Sequence, residues 1–192
     1  MANFYQKLQA KATAAGFQKN SKESLKWYQK ALKGMMGLNR KELLDEFDRS
    51  KPLSGRMFMY MYDPKGKKTL PYYDRFPLIF FVEQADGGFY GLNLHYLPHK
   101  ERAIFFDRLL DYTNNKRYDE STRLRLKYDL LKGSSKLKYF APCFKRYLTK
   151  HVKSKIVEVP ADRWESVIFL PSESFQKASK NTVWQESKTR YK

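Results

Sequence analysis

Three histidines, a lone cysteine and a scatter of aspartates carry the obvious reactive chemistry of this 192-residue chain. His95 and His99 are four apart, the spacing that sets two imidazoles on one helical face for a metal. Leu97-Pro98 interrupts that helix, and no third ligand stands nearby in sequence, so structural or surface histidines are the plainer reading. Cys143 could act as a nucleophile with His151 as base. Nothing in the spacing fixes that pair, and a lone cysteine in an apolar stretch usually packs. Asp63, Asp74 and Asp86 could hold Mg²⁺ for phosphodiester cleavage. They are irregularly spaced, each at a turn signal, where a carboxylate ordinarily caps the turn. Neither GxGxxG nor GxxxxGK[ST] occurs, so no phosphate-cradling loop is present. The expectation is no catalytic residue, no cofactor and no metal.

The basic residues say more. The chain carries 38 Lys/Arg against 20 Asp/Glu, a formal charge of +18. Such a field favours polyanions: nucleic acid first, an anionic membrane or acidic protein second. Residues 116–155 hold 13 Lys/Arg and three Asp/Glu. Arg123, Arg125, Lys127 and Lys132 lie in one segment; Lys136, Lys138, Lys145, Arg146 and Lys150 follow. Tyr128, Tyr139 and Tyr147 are interleaved, which suits phosphate contacts with some stacking. The same pattern fits a basic rim around a core. No RNP, C₂H₂, KH or zipper pattern appears, so base-specific reading is not supported. A single cysteine rules out an intrachain disulfide and fits a reducing compartment. The first residues lack the apolar run of a signal peptide, and no stretch approaches a membrane span.

These residues need elements to hold them. "SKESLKWYQKALKGMMG" predicts a helix capped by Ser21 or Ser24, with Leu25, Tyr28, Leu32 and Met35 or Met36 on one side and Gly34 and Gly37 at its end. "NRKELLDEFDRS" predicts a second, capped by Asn39, with Leu43, Leu44 and Phe47 inward. "RMFMYMYD" alternates methionines with aromatics, a strand covered on both faces. "RFPLIFFVEQ" and "FYGLNLHYL" add two strands joined at "ADGG", giving an antiparallel sheet of about three. Gly87 and Gly88 permit the tight connection, and Gly91 marks a bulge or close backbone approach. Pro98 opens a helix over "HKERAIFFDRLLDY", with Ile104, Leu109 and Leu110 on its apolar face, helped by Phe105 or Phe106. Ser121 caps the next, which Gly133 ends. "APCFKRYLTKHV" reads as another helix and "SKIVEVP" as a short strand. "ADRWESVIFL" reads as a helix turning extended. The basic tail has one anchor, Trp184, and is expected to be partly disordered alone. The fold class is α+β: a small antiparallel sheet packed against helices, with a helical basic arm (1–54), a core (55–175) and a basic tail (176–192).

Three stretches, "MYDPKGKKTLPYYDRFPLIF", "DGGFYGLNLHYLP" and "VIFLPSESFQKASKNTVW", together resemble a family of small structural proteins of T4-like tailed bacteriophages, a set including DNA end protectors and neck or baseplate components. The resemblance covers residues 55–110 and 145–185. It implies a non-enzymatic virion protein, assembled in the host cytoplasm. Such a protein would contact double-stranded DNA without reading sequence and shield packaged DNA ends. The alternative is a neck or baseplate adaptor that meets other virion structural proteins and no DNA. Trp27 and Trp184 would then be exposed anchors, with the Met/Tyr strand. Tyr72, Tyr73 and Phe76 would stiffen an assembly or folding loop between Pro71 and Pro77.

Overall fold

The methionine–aromatic alternation does build a strand with two buried faces. Met57 and Met59 enter the main apolar cluster, while Phe58, Tyr60 and Tyr62 enter a second cluster on the other side. The computed structural model describes residues 4–18, 21–33, 35, 38–113, 117, 119–134 and 140–189. Its elements are α1 (Phe4–Ala14), α2 (Lys22–Ala31), α3 (Arg40–Asp45), β1 (Met57–Met59), β2 (Tyr73–Asp74), β3 (Leu78–Ala85), β4 (Gly88–Asn93), α4 (His99–Thr113), α5 (Glu120–Ser134), β5 (Phe144–Leu148), β6 (Val157–Val159), α6 (Trp164–Val167), β7 (Phe175–Gln176) and α7 (Lys180–Thr189). The sheet has five antiparallel strands rather than about three, in the order β5-β4-β3-β1-β6. β2 and β7 form a separate two-stranded ribbon.

Local rules place the caps. Ser21 caps α2 through a reciprocal pair with Ser24, each side chain accepting from the other's backbone N–H. Asn39 caps α3, taking the amides of Lys41 and Glu42. The cap of α5 falls two residues earlier than Ser121, since Asp119 accepts from Thr122 N at 2.7 Å. Both residue types suit the position, and Gly133 lies inside the helix instead of ending it.

The β3–β4 corner is built on glycine. Gly87 turns the chain at φ +63°. A Cβ on Gly88 would stand 1.9 Å from the Tyr147 carbonyl oxygen, and one on Gly91 would stand 2.7 Å from Ile79 Cδ1. Only glycine lets β4 lie this close to its neighbours. The register shift falls in β3, between Phe81 and Glu83.

Two expectations fail on long-range grounds. "APCFKRYLTKHV" is not a helix: a single 3₁₀ turn at Ala141–Cys143 leads into β5, which pairs with β4 from Gly88↔Leu148 to Leu92↔Phe144. On α4, Phe105, Phe106, Leu109 and Leu110 are buried, but Ile104 is exposed and Arg102 is fully buried in its stead. The tail carries α7, where Val183 and Ser187 are fully buried. Leu8, Leu25, Leu32 and Leu43 of the N-terminal helices share the main cluster with the sheet.

Candidate nucleic-acid interface

A buried polar knot fixes the frame on which the basic residues stand. Asp74 on β2 faces His95, in the 3₁₀ turn after β4, at 2.6 Å from carboxylate to Nδ1. A carboxylate only accepts, so Nδ1 carries the proton. His95 Nε2 lies 2.9 Å from Ser172 Oγ. Asp74 also accepts from Asn93 Nδ2, Phe76 N and Ser174 N, and Asn93 donates onward to the Tyr147 hydroxyl. Burial opposes ionisation of Asp74. His95 and the donors from Phe76 and Asn93 outweigh it and hold the carboxyl below its ordinary range. The order Asp–His–Ser is that of a hydrolytic triad. Here all three side chains are sealed in the interior, and their visible work is to join three distant segments.

A second knot sits beside it. Arg102 donates to the carbonyls of Leu97 and Ile168 and sits 3.9 Å from the Glu173 carboxylate. Burial pushes that carboxyl up, but Arg102, His95 and Lys180 bring it below its usual value. Trp184 donates from Nε1 to the His95 carbonyl at 2.9 Å, with its ring 5.7 Å from the Arg102 guanidinium. Trp184 is therefore half-buried and ties α7 to the knot. Trp27 is half-buried against Phe17 and Tyr28. Tyr72 and Phe76 are core residues and Tyr73 is half-buried. The Met/Tyr strand is covered, so it presents no exposed anchor.

The other reactive candidates lie apart. Cys143 is buried, which pushes its thiol up to about 12. His151 stands beyond the far end of β5, its Nδ1 bonded to the Asp63 carbonyl. Asp63 pairs with Lys67, Asp74 lies in the knot, and Asp86 sits in the β3–β4 turn. Among the described residues no group of three His, Cys, Asp or Glu is placed to hold a metal, and no helix is long and apolar enough to cross a membrane.

The predicted basic residues fall on two elements. Arg123, Arg125, Lys127 and Lys132 are on α5; Lys145 and Arg146 are on β5, with Lys150 just beyond. Lys136 and Lys138 lie outside the described residues, as does the side chain of Arg123. Lys127 lies over the Trp164 ring and Lys145 over Tyr96. Lys132 pairs with Glu83 at 3.0 Å and shares it with Tyr128. Arg125, Arg146 and Lys150 are exposed. Register brings the two elements onto one side: Glu83 is opposite Tyr90 and Tyr90 opposite Arg146. The row therefore runs from the α5 contact at Glu83 to Arg146.

At the end of that row is an open groove of about 850 Å³, lined by Lys65, Asp86, Gly87, Gly88, Arg146 and Lys150 among others. Arg146 donates to the Asp86 carbonyl at 2.7 Å, which aims its guanidinium at the groove's edge. The lysine-rich turn 64–70 is held alongside. Asp63 N donates to the His151 carbonyl and Thr149 N to the Gly87 carbonyl. Sequence reasoning missed Lys65. "DPKGKK" showed a turn, but not that the turn packs against the end of β5.

The groove thus presents two ammonium groups, from Lys65 and Lys150, and the one guanidinium of Arg146, beside Asp86 and the glycines of the β3–β4 turn. A family model described as phage T4 terminal DNA protecting protein matches residues 1–189. No curated protein and no solved structure matches the chain.

Proposed function

Because the chain belongs to the phage T4 terminal DNA protecting protein family, we propose that it is a non-enzymatic virion protein that covers DNA ends by gripping backbone phosphates. The groove at the β3–β4 corner, with Lys65, Arg146 and Lys150, is the contact surface, and Arg125 extends it along α5. One observation carries the reading: exposed cations from two distant segments, the turn at Lys65 and the end of β5 at Arg146 and Lys150, meet at one open groove on a chain of net charge +18. Cations of this kind bind by releasing counterions and read no bases. The buried side chains of Asp74, His95 and Ser172 favour a non-enzymatic role, since a substrate has no path to them. Other virion structural proteins are the expected neighbours.

The test compares a blunt linear duplex with a closed circle of equal length over a salt series. Salt-steep binding that favours the linear form is expected. Equal affinity for both forms refutes end recognition, and absence of binding at moderate salt refutes DNA contact.

A further inference from the structure

The end of a DNA strand differs chemically from its interior. A terminal phosphate is a monoester with close to two charges near neutrality, against one for a diester. It also has chain on one side only, so it can enter a recess that a continuing backbone cannot. A second cavity, of about 320 Å³, shares no lining residue with the groove above. Lys26, Gln29 and Lys30 of α2, Lys33 just past its end, and His99 at the start of α4 line it.

Three features mark this cavity as an anion site. Lys26 and Lys30 are one helical turn apart, where like charges disfavour a helix. Among the described residues, neither they nor Lys33 meets a carboxylate within salt-bridge distance. Lys22, a turn earlier, does, at 3.4 Å from Asp107. His99 Nε2 is buried without a hydrogen-bond partner. Its ring stands beside Phe169 and Trp184, and burial together with the charges of Arg102 and Lys180 pushes it down to about 4. Finally, His99 is the first residue of the 15-residue α4, so the positive end of that helix dipole lies at the cavity's edge. Gln29 adds a neutral amide donor.

We infer that this cavity takes the terminal phosphate monoester of a DNA strand, with Lys26, Lys30 and Lys33 on its oxygens and His99 in its wall. The inference rests on the end-protecting function proposed above and names what is particular about the end. The groove grips the diester backbone, and the recess selects the terminus.

The test titrates the full chain with a thymidine dinucleotide bearing either a 5′-phosphate or a 5′-hydroxyl, and with inorganic phosphate. Histidine ring signals are followed by NMR, with H99Q assigning the resonance. The phosphorylated dinucleotide is expected to bind about tenfold more tightly and to move the His99 signal. K26Q/K30Q/K33Q, three changes at exposed positions, should abolish the preference and leave the circular dichroism unchanged. Equal binding of the two dinucleotides, or a preference that survives in the triple variant, overturns the inference. So does inorganic phosphate matching the phosphorylated dinucleotide while duplex ends with and without 5′-phosphate bind alike. A linear duplex that outcompetes the circle with either end chemistry leaves end protection standing and removes this inference alone. A dinucleotide preference without any linear-duplex preference supports the recess and removes the end-protecting reading.

Discussion

Replacing His95 tests whether the buried knot holds the fold together. In His95→Ala, Asp74 stays ionised and sealed from solvent, and Ser172 Oγ loses its partner. Removing one member of a buried charge-assisted pair costs about 3–5 kcal/mol, because the remaining charge is unpaired. A domain holds only about 5–15 kcal/mol in total. Asp74→Asn should be milder. Its side-chain oxygen still accepts from Phe76 and Ser174, and His95 can move its proton to Nε2 and accept from the new amide, but that amide also faces the donor of Asn93. One unmet buried group costs about 1–3 kcal/mol. Urea unfolding at neutral pH, read by circular dichroism and tryptophan fluorescence, gives both values. The double variant His95→Ala/Asp74→Asn should cost less than the sum, since neither leaves a charge behind. The sign with pH also follows. Asp74 titrates below its ordinary range when folded, so its contribution is complete above the unfolded value near pH 4 and is lost as pH falls through the lower folded one. A loss below about 1 kcal/mol in His95→Ala, with an unchanged denaturant slope, would refute the argument, since that is the size of an ordinary surface change.

Three further outcomes follow. His99 is held neutral to about pH 4, while an unfolded histidine protonates near 6.5. Stability should be full above that value and fall between pH 6.5 and 4, by about 1–2 kcal/mol more in the wild type than in His99→Gln after allowing for partial exposure; parallel pH profiles would rule this out. Gly88→Ala should cost about 2–4 kcal/mol in thermal unfolding, since its Cβ meets backbone, whereas Gly133→Ala on α5 meets nothing and should gain about 0.5–1 kcal/mol. K65Q/R146Q/K150Q should flatten the salt dependence of duplex binding by about one unit of log–log slope per residue that touches phosphate, and an unchanged slope would exclude the groove.

Caps, corner glycines and the covered strand were legible because their causes are local. Ser21 and Asn39 need only their own next turn, and Gly87 only its own φ. β5 was not legible. "FKRYL" has no helical or strand stripe strong enough to decide alone, and its conformation is set by five residues of β4 that lie more than fifty positions earlier. Arg102 escaped for the same reason. A charged residue belongs inside only when acceptors meet it, and its acceptors include Ile168 and Glu173, on the far side of the sequence.

The site shows the same division more sharply. Each of the three stretches that resemble phage virion proteins contributes to one knot: Asp74 from the first, Asn93 and His95 from the second, Ser172, Ser174 and Trp184 from the third. Read separately they offered loose candidates, a histidine for a metal, an aspartate for Mg²⁺, a tryptophan for a partner. Folded, they satisfy one another, and their polar atoms are consumed internally. The cations left outward do not share that fate. Lys65, Arg146 and Lys150 at the groove, and Lys26, Lys30 and Lys33 at the recess, meet no carboxylate among the described residues. Excess charge that the fold does not neutralise must be met by solvent ions or by a polyanion, and displacing those ions is what drives phosphate binding. The residues that looked most like chemistry therefore build the frame, and in the function proposed above it is the plain surface cations that meet the phosphates.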